Sequence, residues 1–160
     1  MNRRKSAHDG LKMPGWIKSL IYASTAACFA SGAIWLVLHY FTRHQGPFGP
    51  EPHPLEHPVL VAHGCIAALL IWCIGLIFVI HIKRGWQKKL NRSTGGVIVI
   101  MAATLLLTGL GLYYLGDENL RASAATVHWI VGLSAAAALP AHIYWGRYVY
   151  ARRSKQDARR

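Results

Sequence analysis

The feature that most constrains this chain is a set of four apolar stretches, each longer than twenty residues and nearly free of charge. They cover residues 17–40, 59–82, 95–115 and 122–145. Each is long enough to cross a hydrocarbon core of ~30 Å at a rise of ~1.5 Å per residue. Helices satisfy their backbone hydrogen bonds internally, so the stretches predict four membrane-spanning helices and not a barrel.

The connections between the spans are short and polar, which favours antiparallel packing of sequential neighbours. We therefore expect an all-α fold: one integral membrane domain over residues 1–160, an up-down-up-down four-helix bundle. In it the second and fourth spans run parallel and lie diagonally across the core. The first connection, 42–58, holds five prolines and is expected to be extended without regular structure. Ser93 or Thr94 is expected to cap the third helix.

The formal charge of +12 is unevenly distributed, because sixteen of the eighteen basic residues lie at one end of the predicted bundle. They are Arg3, Arg4, Lys5, Lys12, Lys18, Lys83, Arg84, Lys88, Lys89, Arg92, Arg147, Arg152, Arg153, Lys155, Arg159 and Arg160. The positive-inside rule then predicts a multi-pass protein of the bacterial cytoplasmic membrane with both termini in the cytoplasm. The basic segments suit contact with anionic membrane lipid. A nucleic-acid binder would also be cationic but would not contain such apolar stretches, so that class is excluded.

Four acids occupy the two connections at the opposite end: Glu51, Glu56, Asp117 and Glu118. We expect solvated loop acids there, with the orientation of a basic partner as the alternative. The cysteines, Cys28, Cys65 and Cys73, lie within spans, where small apolar packing is expected.

Four histidines fall on the second and fourth spans. His63 and His81 are eighteen residues apart, about five α-helical turns, and so are expected to share a face. His128 and His142 are fourteen apart and share a face to within ~40°. Both spans run inward, so the histidines form two cross-helix pairs: His63 with His128 near the outer surface, and His81 with His142 near the inner surface.

Two facing imidazoles are what a six-coordinate haem iron requires, and a bundle core accommodates the porphyrin. The histidines therefore predict two haem b groups, which are non-covalent because the chain has no C-x-x-C-H motif. Arg121 and Arg147 are candidate partners for the haem propionates, with ordinary flanking charge as the alternative. An isolated zinc site is disfavoured, since neither pair has further cysteine or carboxylate ligands nearby.

Three points qualify this assignment. The ligand separations of ~27 Å and ~21 Å differ by ~6 Å, which helix tilt or a bend at Pro140 would reduce. His39, at the outer end of the first span, could replace His63 or lie near a quinone, and His57 has the same two alternatives. Membrane histidines also serve in packing and in proton relays.

Short motifs surround these histidines: H-G at His63, T-G-L-G-L-Y at 108–113, H-W-x-x-G at His128 and H-I-x-x-G-R at His142. With the four spans, they resemble the cytochrome b561-like superfamily of bacterial membrane cytochromes over nearly the whole chain. That group includes the cytochrome b subunits of hydrogenases and formate dehydrogenases. The resemblance implies bis-histidine haem b and electron exchange with quinones or a partner redox protein. In the formate dehydrogenase type one ligand comes from the first helix, whereas here the second span offers both.

The expected function is transmembrane electron transfer by a diheme b-type cytochrome, a membrane subunit between the quinone pool and a partner redox protein. No hydride-cofactor fingerprint, flavin motif or catalytic dyad is visible, which favours an electron-transfer subunit over a stand-alone enzyme. Two alternatives remain: a self-contained transmembrane reductase for a small external acceptor, and a non-haem structural or assembly subunit.

Overall fold

The computed structural model describes residues 14–47, 49–87 and 91–157, and these form helices joined in one place by a small β-hairpin. In chain order the elements are α1 (Gly15–Phe41), β1 (His44–Gly46), β2 (Gly49–Glu51), α2 (Glu56–Ile77), a π-helical segment (Phe78–Lys83), α3 (Arg84–Gln87), α4 (Arg92–Tyr114) and α5 (Glu118–Asp157). Four of them, α1, α2, α4 and α5, contain stretches long and apolar enough to cross a membrane. The four predicted spans are confirmed, and they indicate a multi-pass membrane protein.

Some of the basic residues that carried the orientation argument lie outside the described residues. They are Arg3, Arg4, Lys5, Lys12, Lys88, Lys89, Arg159 and Arg160.

The chain divides into two compact units, Met1–Lys83 and Arg84–Arg160. In the first, α1 and α2 are antiparallel neighbours, because Ser31 meets His63 while His39, further along α1, meets Glu56 at the start of α2. The first unit is thus an antiparallel helical hairpin, as its connection between sequential spans predicts.

The second unit has the same arrangement, since α4 residue Thr94 meets His142 of α5 and Thr108 meets His128. Asp117 Oδ1 accepts a hydrogen bond of 2.9 Å from the Leu120 backbone N–H and so caps the start of α5.

Little of the apolar surface is hidden within the chain. Among the described residues, Cys73 is the buried hydrophobic one, and Ser24 and Ser31 are the buried polar ones. Large side chains on the spans face outward, with Leu107 69% and Ile100 67% exposed. Contiguous apolar surface of this kind is tolerated where lipid and not water surrounds the helices.

The first connection is more regular than its prolines suggested. β1 and β2 pair antiparallel, with His44 opposite Glu51, so the expectation of no regular structure was wrong. Gly49 has φ +122°, a backbone conformation that favours glycine. Pro50 is tolerated because both strands of a two-stranded ribbon are edge strands. α2 then begins at Glu56 and not at residue 59, since Pro58 lies in its first turn, where a backbone N–H is not needed.

Two expectations about the second unit were also wrong. α5 continues through Pro140 to Asp157, twelve residues beyond the predicted end at 145, because the basic tail can be helical without being apolar. Asn91, with φ 48°, precedes α4, and no side-chain hydrogen bond caps that helix. Ser93 and Thr94 lie inside its first turn, and the Thr94 side chain contacts His142 of α5.

The π-helical segment over Phe78–Lys83 contains His81. Uniform rotation of ~100° per residue applies to an α-helix and so ends at Ile77. The shared face of His63 and His81 was predicted from that uniform rotation, so the spacing argument does not extend to His81.

Candidate functional site

Three of the four predicted ligand histidines have the same local environment. In each case a serine or threonine hydroxyl of the preceding long helix lies within 3.0 Å of the imidazole Nδ1 atom, and the next residue is a glycine facing the ring. We call each such dipeptide a hydroxyl–glycine cradle. The three cradles are Ser31–Gly32 for His63, Thr94–Gly95 for His142 and Thr108–Gly109 for His128.

The cradle at His63 fixes which ring nitrogen carries the proton. Nδ1 lies 3.0 Å from the Cys28 carbonyl oxygen and 3.0 Å from Ser31 Oγ. A carbonyl oxygen can only accept, so Nδ1–H donates to it. The Ser31 hydroxyl donates to the same carbonyl over 3.0 Å, so it does not donate to His63. In the neutral ring, Nε2 then bears the lone pair.

The cradle at His128 leads to the same tautomer. Thr108 Oγ1 lies 2.9 Å from Nδ1 of His128. The Thr108 hydroxyl donates its own proton to the Thr104 carbonyl over 2.7 Å. The hydroxyl oxygen is thus left to accept, and Nδ1–H of His128 is the donor.

The cradle at His142 uses a side-chain acceptor in place of a carbonyl. Thr94 Oγ1 donates to Asn91 Oδ1 over 2.7 Å and lies 2.9 Å from Nδ1 of His142. The Asn91 amide nitrogen also lies 3.5 Å from the carbonyl oxygen of His142. The same amide nitrogen lies 3.4 Å from Nδ1 of His142, and an amide nitrogen can only donate. Nδ1 of His142 therefore faces a donor as well as the Thr94 hydroxyl, and its tautomer is not fixed in the way found at His63.

The glycines let the ring edges approach the neighbouring helix. A Cβ atom at Gly32 would lie 3.0 Å from Cε1 of His63, closer than carbon atoms normally pack. The corresponding distances are 3.4 Å from Gly109 to His128 and 3.6 Å from Gly95 to His142. The clearance is thus tightest at His63.

His81 has a different setting, because it lies in the π-helical segment and its side chain is exposed. Single π-helical turns inside α-helices are frequent at functional sites, where they re-aim a side chain.

The two predicted propionate partners are both exposed on α5. Arg121 precedes His128 by seven residues, which on a regular helix places it within ~20° of the same face and ~10 Å away. Arg147 follows His142 by five residues, a rotation of ~140°, so it is less well aligned. The role of both arginines stays a prediction.

The structure also shows a contact that the sequence did not predict. His39 Nδ1 donates to Glu56 Oε1 over 2.6 Å, and the Glu56 side chain is 15% exposed. The interpretation of Glu56 as a solvated loop acid was therefore wrong, because α2 begins early enough to bring it against α1. His57, the next residue, is exposed.

The four predicted ligands divide evenly between the units: His63 and His81 belong to the first, His128 and His142 to the second. The structure brings His63, His128 and His142 each against a cradle within its own unit. The pairing of His63 with His128 and of His81 with His142 stays a prediction.

A sequence signal for the cradles does exist. The chain has three Ser-Gly or Thr-Gly dipeptides, at residues 31, 94 and 108, and all three lie against a histidine. Only Gly109 stood out in the sequence, as part of the T-G-L-G-L-Y motif. The other two were missed because small residues are common wherever membrane helices pack.

These residues fit a haem iron. An imidazole that binds a metal through one nitrogen usually donates its other N–H to an oxygen, which fixes the ring and raises its basicity. The cradles supply that oxygen three times. Among the described residues, no group of three or more His, Cys, Asp or Glu side chains could hold a metal ion. A bis-imidazole haem needs only two protein ligands, because the porphyrin supplies four.

Comparison with known proteins gives no match: no family model, curated protein or solved structure is significantly similar to the chain.

Proposed function

We propose that this chain is a diheme b-type cytochrome, the membrane subunit that exchanges electrons between the quinone pool and a partner redox protein. In this proposal the two helical hairpins associate into an up-down-up-down four-helix bundle in the bacterial cytoplasmic membrane, with both termini in the cytoplasm. His63 and His128 bind the outer haem iron, and His81 and His142 bind the inner one.

The observation that carries the proposal is the setting that three histidines share. Ser31, Thr94 and Thr108 each place a hydroxyl oxygen within 3.0 Å of Nδ1 of a histidine. At His63 and His128 the hydroxyl proton has another acceptor, so Nδ1–H donates and Nε2 bears the lone pair. Packing alone does not require the same hydroxyl and glycine beside three histidines.

The protein's part is to hold and orient the haems. Haem supplies the one-electron chemistry, and axial imidazoles and their hydrogen bonds set its potential. The hydroxyl acceptors orient the rings and increase the electron density on the ligating nitrogen. The glycines permit close approach of ring and helix. Arg121, seven residues before His128 on the same helix, would meet a propionate of the haem that His128 binds.

The test is reduction of the purified protein by a quinol. The chain would be purified in mild detergent, reconstituted in lipid nanodiscs and mixed anaerobically with decylubiquinol or menaquinol-4. We expect a haem Soret band and α-band that respond to reduction, with all haem extracted by acidified acetone, as for non-covalent haem b.

Reduction by dithionite but by neither quinol would contradict the exchange with quinones. A colourless protein would contradict the whole proposal and leave a structural or assembly subunit. A matched control is His57→Ala, which removes an exposed histidine and should leave the spectra unchanged.

A further inference from the structure

The end of the first unit next to the β-hairpin contains a compact polar and aromatic cluster. His39, in the last turn of α1, donates to Glu56, in the first turn of α2, over 2.6 Å. The His39 ring stacks on Trp35 with centroids 4.6 Å apart and an interplanar angle of 13°. Tyr40 meets the His39 ring edge-on at 4.8 Å. We call Trp35, His39 and Glu56 the hairpin-end cluster.

Two polar atoms of this cluster are buried without a hydrogen-bond partner: Glu56 Oε2 and Trp35 Nε1. The carboxylate oxygen is an acceptor and the indole N–H is a donor. Buried polar groups in native proteins nearly always have a partner, because an unpaired one has lost its hydrogen bonds to water without replacing them. Two such atoms on residues that both touch His39 indicate a ligand that offers one hydroxyl donor and one acceptor oxygen.

The position of the cluster narrows the class of ligand. It lies at the ends of two spans, the depth at which the polar head group of a lipid-dissolved molecule is expected. The stacked rings of Trp35 and His39 offer an aromatic surface. A lipid-soluble molecule with an aromatic head group, a hydroxyl donor and an acceptor oxygen is a hydroquinone.

We propose that the hairpin-end cluster binds the head group of a hydroquinone, an inference that rests on the proposed function. One hydroxyl donates to Glu56 Oε2, and an oxygen accepts from Trp35 Nε1. His39 holds the carboxylate in place through its bond to Oε1.

Oxidation of a hydroquinone releases two electrons and two protons. Glu56 takes the proton of the hydroxyl that it binds, and the O–H bond breaks in favour of a new O–H bond on the carboxylate. The second proton passes to water, and the two electrons would be taken up by the two haems of the proposed function, one by each. Quinone is the product.

A second histidine–glutamate pair, on the β-hairpin, is more exposed than the pair of His39 and Glu56. His44 Nε2 and Glu51 Oε2 lie 3.6 Å apart across the β-hairpin, with the side chains 51% and 44% exposed. Water reaches this pair, so the hydroquinone proposal does not extend to it. Glu51→Gln therefore makes a matched control for Glu56→Gln.

The experiment is photoaffinity labelling of the full chain in nanodiscs with azido-substituted benzoquinone and naphthoquinone probes, reduced to hydroquinones before illumination. Labelled peptides are mapped by mass spectrometry, and excess unlabelled decylubiquinol or menadiol shows specificity. We expect competed labelling on the peptides that carry Trp35–Tyr40 or Glu56. Loss of a hydrogen bond to the carboxylate in Glu56→Gln should raise the probe concentration for half-maximal labelling by roughly tenfold. Glu51→Gln should match the parent.

Labelling that maps elsewhere, or equal labelling of Glu56→Gln and the parent, overturns the proposal. Trp35→Phe retains the His39–Glu56 bond and provides a second variant if Glu56→Gln unfolds; it too should lower labelling, and parent-like labelling would count against the site. Haem content is measured on the same samples. A haem-loaded parent without competed labelling refutes this site alone, whereas a colourless parent that is labelled here refutes the diheme assignment alone.

Discussion

The histidines of the two helical hairpins have different surroundings. In the second unit, α5 is one continuous helix that presents His128 and His142, and each has a cradle on α4. In the first unit only His63 has a described cradle, while His81 lies in a π-helical segment. The second unit thus surrounds both of its histidines in the same way, whereas the first has one histidine with a cradle and another in a π-helical segment.

This difference bears on the spacing problem in the sequence. Eighteen residues separate His63 from His81 and fourteen separate His128 from His142, which on regular α-helices gives a mismatch of ~6 Å. The longer spacing is in the first unit, and that is where the π-helical segment lies. A π-helical turn holds more residues than an α-helical one, so it shortens and rotates the path to His81.

The largest expected effect is loss of one haem when a ligand is removed. His63→Ala and His128→Ala should lose the same spectral component, and His81→Ala and His142→Ala the other, because in the proposed arrangement each pair binds one iron. Haem content and low-temperature reduced-minus-oxidised spectra of the four variants provide the measurement. Loss of the same component from His63→Ala and His81→Ala would refute the pairing across the two hairpins.

The glycines should show a graded effect that follows the distances to the rings. Gly32→Ala places a Cβ atom 3.0 Å from Cε1 of His63 and should destabilise the protein by roughly 1–3 kcal/mol. Gly109→Ala should have a smaller effect, and Gly95→Ala, at 3.6 Å, the smallest. Thermal unfolding midpoints in one detergent would give the order.

Gly75→Ala is the matched control, because nothing lies within 4 Å of its added Cβ atom. Alanine has the higher helix propensity, so this variant should be neutral or stabilised by up to ~1 kcal/mol. If Gly32→Ala is as stable as Gly75→Ala, the close contact with His63 is not present in the protein.

The cradle hydroxyls should tune the haem potentials. Thr108→Val keeps the shape of the side chain and removes the acceptor for Nδ1–H of His128. The imidazole then donates less electron density to iron, so the midpoint potential should rise. A hydrogen bond of about 1 kcal/mol corresponds to about 40 mV for one electron. Spectroelectrochemical titration would measure the shift, and Thr108→Ser should restore most of it.

Thr126→Val serves as the comparison, since the Thr126 hydroxyl donates to the Ala122 carbonyl on the exposed side of α5. Its potentials should equal those of the parent. A rise of similar size in Thr126→Val would show that the shift does not come from the hydrogen bond to His128.

The last comparison concerns the two histidine–glutamate pairs of the first unit. Glu56→Gln removes a partner from a largely buried bond and should lower the free energy of unfolding by roughly 1–3 kcal/mol. Glu51→Gln weakens an exposed contact at 3.6 Å and should change it by less than ~0.5 kcal/mol. Chemical denaturation in detergent would compare them, and equal values would refute the difference in burial.

The four spans and the antiparallel hairpins could be predicted from the sequence because apolar length and loop length determine them directly. The end of α5 could not, since apolarity marks where a helix meets lipid and not where it stops. The β-hairpin was not predicted, because the five prolines of this connection favoured an extended chain. Its signal in the sequence is the pair of glycines, Gly46 and Gly49, that flank the turn.

The candidate site was only partly predictable. Periodicity identified the histidines, but it assumed one helix type throughout and so missed the π-helical segment at His81. The cradles depend on which residues of two packed helices lie opposite each other, and this register cannot be read from a single sequence. His39 and Glu56 come together for the same reason: their contact depends on where α2 begins.

The central claim is that four imidazoles hold two haems, and haem stoichiometry with electron paramagnetic resonance of the oxidised protein tests it most directly. We predict two non-covalent haem b groups per chain, both low-spin, as two axial imidazoles require. A protein that binds no haem, or one whose haems are high-spin with an open axial position in the parent chain, would contradict the assignment.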